Sequence, residues 1–213
     1  WRARYFSHKE NMSHKVKLIL IDQASLDWAK IENDWGWPWP REVYGAIASF
    51  CSRGGAKVLS MDLLFTEPSI YGVSDDEALG QALSDVPVVL SVQPGGSQNV
   101  WPQYISRPNF KINSSKFTES GNLLFPVQDI VNSNVSVGHV KGLPDYDGVY
   151  RRMLPFCSFD NVTIPALGLA SYLKSDSKKE SITVSDQQII LGDKEIPVDK
   201  NGNVILRFRG GSD

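Results

Sequence analysis

Two aspartates follow hydrophobic runs that are predicted to form neighbouring β-strands. Asp22 ends the run Val16–Asp22, and Asp62 follows the run Lys57–Met61. Ligands of open parallel α/β sheets bind at the carboxyl edge of the strands, so a cation or a polar ligand is expected between the two carboxylates. The alternative is that each aspartate caps the helix or turn after its strand.

An aromatic loop lies between these two runs. Its sequence is Trp35-Gly36-Trp37-Pro38-Trp39-Pro40-Arg41, with three tryptophans within five residues. Indole rings can cage a cation or stack on a flat ligand. The alternative is that the tryptophans anchor the loop to the core, which is their more common role.

A third polar group surrounds the predicted turn Asp145-Tyr146-Asp147-Gly148. We assign the turn to the backbone preferences of Asp and Gly, because the later acidic positions of a calcium loop are missing. Arg151 and Arg152 follow on opposite faces of a predicted strand, so one should point to a carboxylate (Asp22 or Asp62) or a ligand and the other to solvent. The full candidate ligand-binding set is Asp22, Trp35, Trp37, Trp39, Arg41, Asp62, His139, Asp147 and Arg151.

Several enzyme classes are excluded because their motifs are missing. The sequence has no phosphate-binding loop and no G-x-G-x-x-G after the first predicted strand. Gly95-Gly96-Ser97-Gln98-Asn99 approaches the elbow of a serine hydrolase but lacks the second glycine. His8, His14 and His139 are scattered and have no metal-ligand partner at i,i+4. We therefore expect no catalytic residues, no metal and no cofactor.

Composition points to a globular domain outside the nucleic-acid-binding classes. The chain has 213 residues, 41% hydrophobic and 22% charged, with a net charge of −2, and it has no basic stripe for nucleic acid.

No apolar run approaches the ~20 residues that cross a bilayer. The opening Trp1-Arg2-Ala3-Arg4-Tyr5-Phe6 is of the amphipathic type found at membrane surfaces. This favours a piece cut from between membrane spans over a cytosolic protein. Cys51 and Cys157 are interpreted as buried free thiols, and the alternative is a single disulfide between them.

Hydrophobic periodicity predicts an α/β fold with a mainly parallel sheet flanked by helices in the N-terminal part. The helix that begins near Pro40 should bury Val43, Ile47 and Phe50 and end at Gly54-Gly55. The remaining predicted elements of this part are a helix from a capping box at Ser74–Glu77 and a third strand at Val86–Val92.

The C-terminal half is predicted to be rich in β-hairpins. An irregular loop over about 93–125 precedes it. Its predicted elements are a hairpin that pairs Val137–Lys141 with Val149–Phe156, a helix over Ile164–Lys174, and hairpins that turn at Gly192-Asp193 and Asn201-Gly202. We assign residues 1–15 to a lead-in and 16–213 to a single domain. The chain stops straight after a strand, at Arg207–Asp213, which indicates C-terminal truncation.

Five ordered segments resemble the second class of CHASE domain, the cyclase- and histidine-kinase-associated extracellular sensor of bacteria. The resemblance runs from about residue 16 to the end. The segments are Ile21-Asp22 with Ser25-Leu26, Trp37–Arg41, Gly55–Val58 running to Asp62–Phe65 and Glu67-Pro68, Asp75-Asp76 before Leu79 and Ala82, and Gly138–Val140 through Asp147–Val149 to Arg151-Arg152. Ile196–Asp199, Gly202 and Arg207–Gly210 are also similar to the family.

The resemblance implies a non-enzymatic, extracytoplasmic sensory domain of a cell-membrane receptor in bacteria. It would bind an unknown small-molecule or ionic signal and act through its own transmembrane helices on a nucleotide cyclase, a histidine kinase or a protein kinase. A homodimer is possible, and family members typically continue beyond Phe208-Arg209-Gly210 into another α/β stretch. One alternative is a protein-interaction or dimerisation module with the tryptophan loop as its hot spot. The other is a small-molecule hydrolase that uses Asp22 and Asp62.

Overall fold

The computed structural model describes residues 15–108, 118–142, 144–175, 182–185 and 187–206. These residues fall into two units, 15–39 with Leu206 and Pro40–Ile205. The predictions for residues 1–14 and for Arg207–Asp213 lie outside the described chain, as does the stretch 109–117 of the predicted irregular loop.

The helices are α1 (Gln23–Asn33), α2 (Arg41–Arg53), α3 (Val73–Ala82) and α4 (Leu167–Ser175). The strands are β1 (Leu59–Met61), β2 (Val88–Pro94), β3 (Thr118–Glu119), β4 (Leu123–Leu124), β5 (Val135–His139), β6 (Arg152–Met153), β7 (Phe156–Phe159), β8 (Val162–Pro165), β9 (Ile182–Val184), β10 (Gln188–Leu191), β11 (Lys194–Pro197) and β12 (Val204–Ile205).

In the smaller unit, the run Val16–Asp22 is extended chain rather than the predicted buried strand. Val16, Leu18 and Leu20 are 75%, 78% and 68% exposed, and the run takes part in none of the strand pairings of the described chain. A hydrophobic run becomes a strand only where a neighbour satisfies its backbone groups. The helix α1, which the sequence did not predict, begins directly after this run.

The larger unit is built on three parallel strands with β2 at the centre. β1 pairs with β2 at Leu59 and Val88, and β5 pairs with the other side of β2 at Val88 and Val135. The residues of β2 from Val88 to Val92 are all buried, as expected for a parallel strand covered on both faces. The parallel sheet and the strands predicted near 57–61 and 86–92 are confirmed.

β5 corrects the first predicted hairpin. Instead of pairing Val137–Lys141 with Val149–Phe156, the chain pairs β5 with β2 over five residues, from Val135 to His139. β5 is buried on both faces, so a place inside the parallel sheet covers more apolar surface than a hairpin with one solvated face. β6 pairs with β12, and β7 pairs with β8 and β3.

α2 begins after Pro40 and ends before Gly54 as predicted, but it buries a different face. Phe50 is 66% exposed, so the predicted Val43, Ile47 and Phe50 face is wrong. The buried residues of α2 are Arg41, Tyr44, Gly45 and Ala48. Small residues on this face let α3 approach closely, since a Cβ added at Gly45 would lie 3.1 Å from the Cβ of Ala82.

The start of α3 differs from the predicted capping box at Ser74–Glu77. The helix begins at Val73 after Gly72, and no side chain caps it. The carboxylates of its first turn, Asp75 and Asp76, bond instead to α2 and to the loop before α3. A bond to the neighbouring helix has therefore replaced the local cap.

The C-terminal part contains antiparallel hairpin strands, as predicted. β10 and β11 pair across the turn at Gly192-Asp193. The turn at Asn201-Gly202 also forms, but the strand after it, β12, pairs with β6 rather than with β11. α4 begins at Leu167 because the predicted first turn, Ile164 and Pro165, belongs to β8.

Candidate ligand-binding site

The two strand-end aspartates have different surroundings. Asp22 caps α1: its Oδ1 accepts hydrogen bonds from the Ser25 backbone N–H (2.9 Å) and the Ser25 hydroxyl (2.8 Å). These bonds lower the pKa of the Asp22 carboxyl. Asp62 follows β1 at the carboxyl edge of the sheet and is exposed. Asp22 therefore has the capping role, and a ligand held between Asp22 and Asp62 stays a prediction.

The tryptophan loop presents one indole ring to solvent. Trp37 is 55% exposed, whereas Trp39 is buried. The two rings meet edge to face, with centroids 5.9 Å apart and planes inclined by 68°, a favourable geometry for aromatic pairs. Trp35 is half-buried. Of the three candidate tryptophans, Trp37 offers the surface on which a flat ligand could stack.

The backbone of Arg41 begins α2, and a carboxylate of α3 caps it. Pro40 supplies no capping side chain. Instead the Arg41 N–H donates to Asp75 Oδ2 (2.8 Å) and the Glu42 N–H donates to Asp75 Oδ1 (3.1 Å). A carboxylate at this position satisfies unpaired N–H groups and interacts favourably with the helix dipole.

The guanidinium of Arg41 is enclosed by protein groups. Its Nε donates to Asp76 Oδ1 (3.0 Å) and its Nη2 donates to the Glu67 carbonyl (2.9 Å). It also lies over the ring of Phe65, 4.6 Å from the centroid. Asp76 is fully buried and accepts a second bond from the Ser69 N–H (2.7 Å). This network ties two helices to the loop before α3, which gives Arg41 an architectural role.

His139 is the last residue of β5 and lies at the carboxyl edge of the parallel sheet. Its Nδ1 accepts a hydrogen bond from the Lys141 N–H (3.2 Å), so the proton of the neutral ring is on Nε2. The ring is 2% exposed, and Nε2 has no hydrogen-bond partner within the described chain. Burial, together with the charge of Lys141, lowers the pKa of His139 to about 4.

Lys141 also lies near a buried thiol. Its Nζ is 3.5 Å from Ser120 Oγ. Burial raises the pKa of Cys157 to about 11, although a hydrogen bond with Ser120 and the charge of Lys141 act in the opposite direction. A thiol with this pKa is protonated at neutral pH and is a poor nucleophile.

Two candidate residues, Asp147 and Arg151, come together in an ion-pair cluster, which we define as Asp145, Asp147, Arg151, Arg152 and Asp199. Arg151 Nη1 lies 2.8 Å from Asp147 Oδ1 and 3.2 Å from Asp145 Oδ2. Arg152 Nη1 bonds to the other oxygen of Asp145. Arg152 Nε lies 3.2 Å from Asp199 Oδ2. The cluster thus joins the turn at 145–148 to the turn after β11.

The expected division between one inward and one outward arginine is wrong. The side chains of Arg151 and Arg152 are 39% and 41% exposed, and both contact Asp145. The physical reason is that β6 begins only at Arg152, so the alternation of faces along a strand does not separate the two residues. Their acidic partners are Asp145, Asp147 and Asp199 rather than the predicted strand-end aspartates.

The contacts of the cluster favour its charged forms. The hydrogen bond from Arg151 lowers the pKa of Asp147 to about 2. The hydrogen bond from Arg152 lowers the pKa of Asp145. Burial raises the pKa of Asp199, but bonds from the backbone N–H groups of Asn203 and Asn201 outweigh it and lower the pKa overall. At neutral pH the cluster therefore has three negative and two positive charges.

A pocket of about 200 Å³ lies beside the cluster. Its lining residues are Pro144, Asp145, Arg152, Leu154, Asn201 and Asn203. The sequence predicted the turn at 145–148 and the arginines, but it missed Asp199 and both asparagines. The signals for these residues were the Asn201-Gly202 hairpin turn and the family-like segment that ends at Asp199, and nothing in the sequence showed that this turn lies against Arg152.

Two kinds of feature are absent from the residues that the structure describes. They contain no group of three or more His, Cys, Asp or Glu side chains placed to hold a metal ion. None of their helices is long and apolar enough to cross a membrane.

Comparison with known proteins gives one match. The family model described as CHASE2 domain matches residues 1–213, the whole chain. No curated protein and no solved structure matches.

Proposed function

The chain belongs to the CHASE2 domain family, a family of extracellular sensory domains, and from this premise we propose that it is the extracytoplasmic sensor of a bacterial transmembrane receptor. The match of the family model to the whole chain carries the proposal. The family is sensory rather than catalytic. We therefore assign the chain to signal detection, with any catalysis in a separate cytoplasmic domain.

Signal detection requires a ligand that binds one conformation better than another. We place the signal-binding site at the ion-pair cluster and its pocket, where the candidate residues Asp147 and Arg151 meet. The Arg152–Asp199 pair (3.2 Å) connects this site to the turn before β12. A ligand that engages Arg152 would therefore act on the C-terminal strand, and the change would pass through transmembrane helices to a nucleotide cyclase, a histidine kinase or a protein kinase.

The first test is the complete reading frame around the chain. The proposal expects a hydrophobic span before Trp1, further spans after Asp213, and a cyclase or kinase domain beyond them. A free-standing protein without such spans would overturn the receptor assignment.

The second test is the output activity of the complete protein in membranes. Arg151→Gln should change this activity, because it breaks the contacts with Asp145 and Asp147 (3.2 and 2.8 Å). The fold should survive, since exposed ion pairs contribute only ~0–1 kcal/mol. Arg53→Gln, an exposed arginine at the end of α2, is the matched control. Equal output from the two variants would remove Arg151 from the site.

A second candidate function is a dimerisation module, favoured by apolar side chains in the smaller unit. Leu18, Trp28 and Ile31 are 78%, 58% and 78% exposed, and contiguous exposed apolar surface often marks an interface. Ile31→Lys should weaken self-association in sedimentation velocity, whereas Glu32→Lys on the same helix should not. A chain that stays monomeric at all concentrations would remove this candidate.

A further inference from the structure

We propose that the pocket beside the ion-pair cluster binds a compact zwitterion, a molecule with one ammonium and one carboxylate group in the manner of an α-amino acid. This inference rests on the proposed sensory function and names the class of its ligand. Four features of this part of the molecule favour such a ligand: the charge of the cluster, the hydrogen-bonding capacity of the lining residues, the size of the pocket, and the contact that links the pocket to β12.

The charges of the cluster select against simple ions. Three carboxylates face two guanidinium groups, which leaves one negative charge in surplus. A lone anion that approaches Arg152 meets this surplus, and a lone cation leaves the remaining donors of the arginine without an anionic partner. A zwitterion gives both kinds of group a partner, because its carboxylate pairs with a guanidinium and its ammonium pairs with an acidic residue.

The lining residues have hydrogen-bonding capacity for both ends of such a ligand. A guanidinium has five N–H donors, and Arg152 uses only Nη1 and Nε in its contacts with other described side chains. Each oxygen of Asp145 accepts from one arginine, whereas a carboxylate offers about four acceptor sites. Arg152 can therefore donate hydrogen bonds to the ligand carboxylate, and Asp145 can accept hydrogen bonds from its ammonium.

The size and the other walls of the pocket favour a small molecule. Its volume of about 200 Å³ is below the ~300–1,000 Å³ of sites for drug-sized ligands. Leu154 is buried and supplies an apolar wall, and Asn201 and Asn203 add amide groups. This combination fits a short aliphatic or hydroxylated side chain on the zwitterion.

The same pocket offers a way to report occupancy. Asp199 Oδ2 lies 3.2 Å from Arg152 Nε, and Asp199 Oδ1 accepts from the backbone N–H groups of Asn201 and Asn203, both at 2.9 Å. A ligand carboxylate on the remaining donors of Arg152 would weaken the attraction between Arg152 and Asp199, because the two carboxylates then share one positive charge. Binding would thus alter the turn that leads into β12.

Isothermal titration of the purified chain tests the proposal, with L-alanine as the probe. Acetate and ethylammonium present its two charges separately. We expect saturable binding of L-alanine and at least about tenfold weaker binding of either ion, since each ion loses one charge-assisted contact. Arg152→Gln should weaken L-alanine binding by at least about tenfold, and the exposed control Arg53→Gln should leave it unchanged.

A second variant guards against misfolding of the first. Asn201 is exposed at the pocket, so Asn201→Tyr should fill the pocket and abolish binding while the circular dichroism spectrum is unchanged. Absence of L-alanine binding by the folded chain, or binding that survives both variants, would overturn the inference. Either result leaves the sensory role standing, because the reading frame and the membrane output test that role separately.

Discussion

Arg41, which the sequence suggests as a ligand-binding residue, forms a buried ion pair with Asp76 in the structure. The pair is 3.0 Å apart, and the two side chains are 8% and 0% exposed. Removing one partner leaves the other charge buried and unpaired, which costs ~3–5 kcal/mol. We expect Arg41→Gln to lower the free energy of unfolding by that amount in urea denaturation.

Two controls separate this architectural role from ligand binding. Arg53→Gln removes an exposed arginine from the last turn of the same helix and should change stability by less than ~0.5 kcal/mol. The double variant Arg41→Gln/Asp76→Asn should be less destabilised than the sum of the two single variants. Additive losses would mean that the two residues act independently.

His139 predicts a pH dependence of stability. Its pKa is about 4 in the folded chain, against an ordinary value of 6.5. Between these two pH values the histidine is therefore protonated in the unfolded chain and neutral in the folded chain. The stability that the neutral ring supports is complete above pH 6.5 and is lost as the pH falls from 6.5 to 4. The loss amounts to ~3 kcal/mol, at ~1.4 kcal/mol per pH unit. Urea denaturation at pH 7, 5.5 and 4 measures it.

His139→Gln should flatten this dependence. The carboxylates with lowered pKa values, which are Asp22, Asp34, Asp145, Asp147 and Asp199, lose their contribution mainly below about pH 5. The variant retains all of them, so the difference between its stability curve and that of the wild type isolates His139. If the wild-type and variant stability curves run parallel between pH 6.5 and 4, then another group causes the dependence.

The sequence identified Asp147 and Arg151 of the ion-pair cluster as candidate residues, but it expected Asp22 or Asp62 as the acidic partner of the arginine. Asp147 and Arg151 are four residues apart, and their ion pair (2.8 Å) follows from the turn between them. Asp199 comes to Arg152 only because β12 pairs with β6. A contact across this separation depends on the tertiary fold, which local patterns do not specify.

At the scale of elements, α4 packs closely on β5. Gly138 lies in the middle of β5, and a Cβ added there would be 2.6 Å from Leu167 Cα and 3.1 Å from Ala170 Cβ. The helix can rest on the strand only because the side chain is missing. Gly138→Ala should therefore destabilise the chain by ~1–3 kcal/mol through overpacking, measured by thermal or urea unfolding.

The matched control lies in the helix itself. Gly168 is in α4, and a Cβ added there meets nothing within 4 Å. Gly168→Ala should stabilise the chain by ~0.5–1 kcal/mol, because alanine is the better helix former. A loss of stability in Gly168→Ala, or none in Gly138→Ala, would contradict the packing of α4 on β5.

The elements that the sequence predicted correctly are those specified by local signals. Pro40 and Gly54 mark the ends of α2, and β2 is rich in valine and leucine. β5 was paired wrongly because its partner, β2, lies more than 40 residues earlier, at Val88↔Val135. The buried face of α2 was wrong because it is chosen by the fit of small residues such as Gly45 against α3, a fit that apolar periodicity does not describe.

At the scale of the whole molecule, the proposed site lies away from the buried central strand of the larger unit. The centre of the larger unit is β2, which is buried from Val88 to Val92 and has a parallel strand on each side. The pocket lies instead beside β6 and β12, two strands that pair over only two residues each. This arrangement suits a sensor, since the segment that responds to a ligand must rearrange at a lower free-energy cost than the core that supports it.

Amide hydrogen exchange on the intact chain tests this distribution. We expect the amides of Val88–Val92 to exchange at least about tenfold more slowly than those of Val204-Ile205, because buried core strands open only with large free energies. Arg152→Gln removes the contact with Asp199 (3.2 Å), so it should accelerate exchange in β12 and leave β2 unchanged. Arg53→Gln, in α2, should change neither strand. Acceleration that spreads equally to β2 would show that Arg152 supports the whole fold, and the pocket would then lose its special connection to the C-terminal strand.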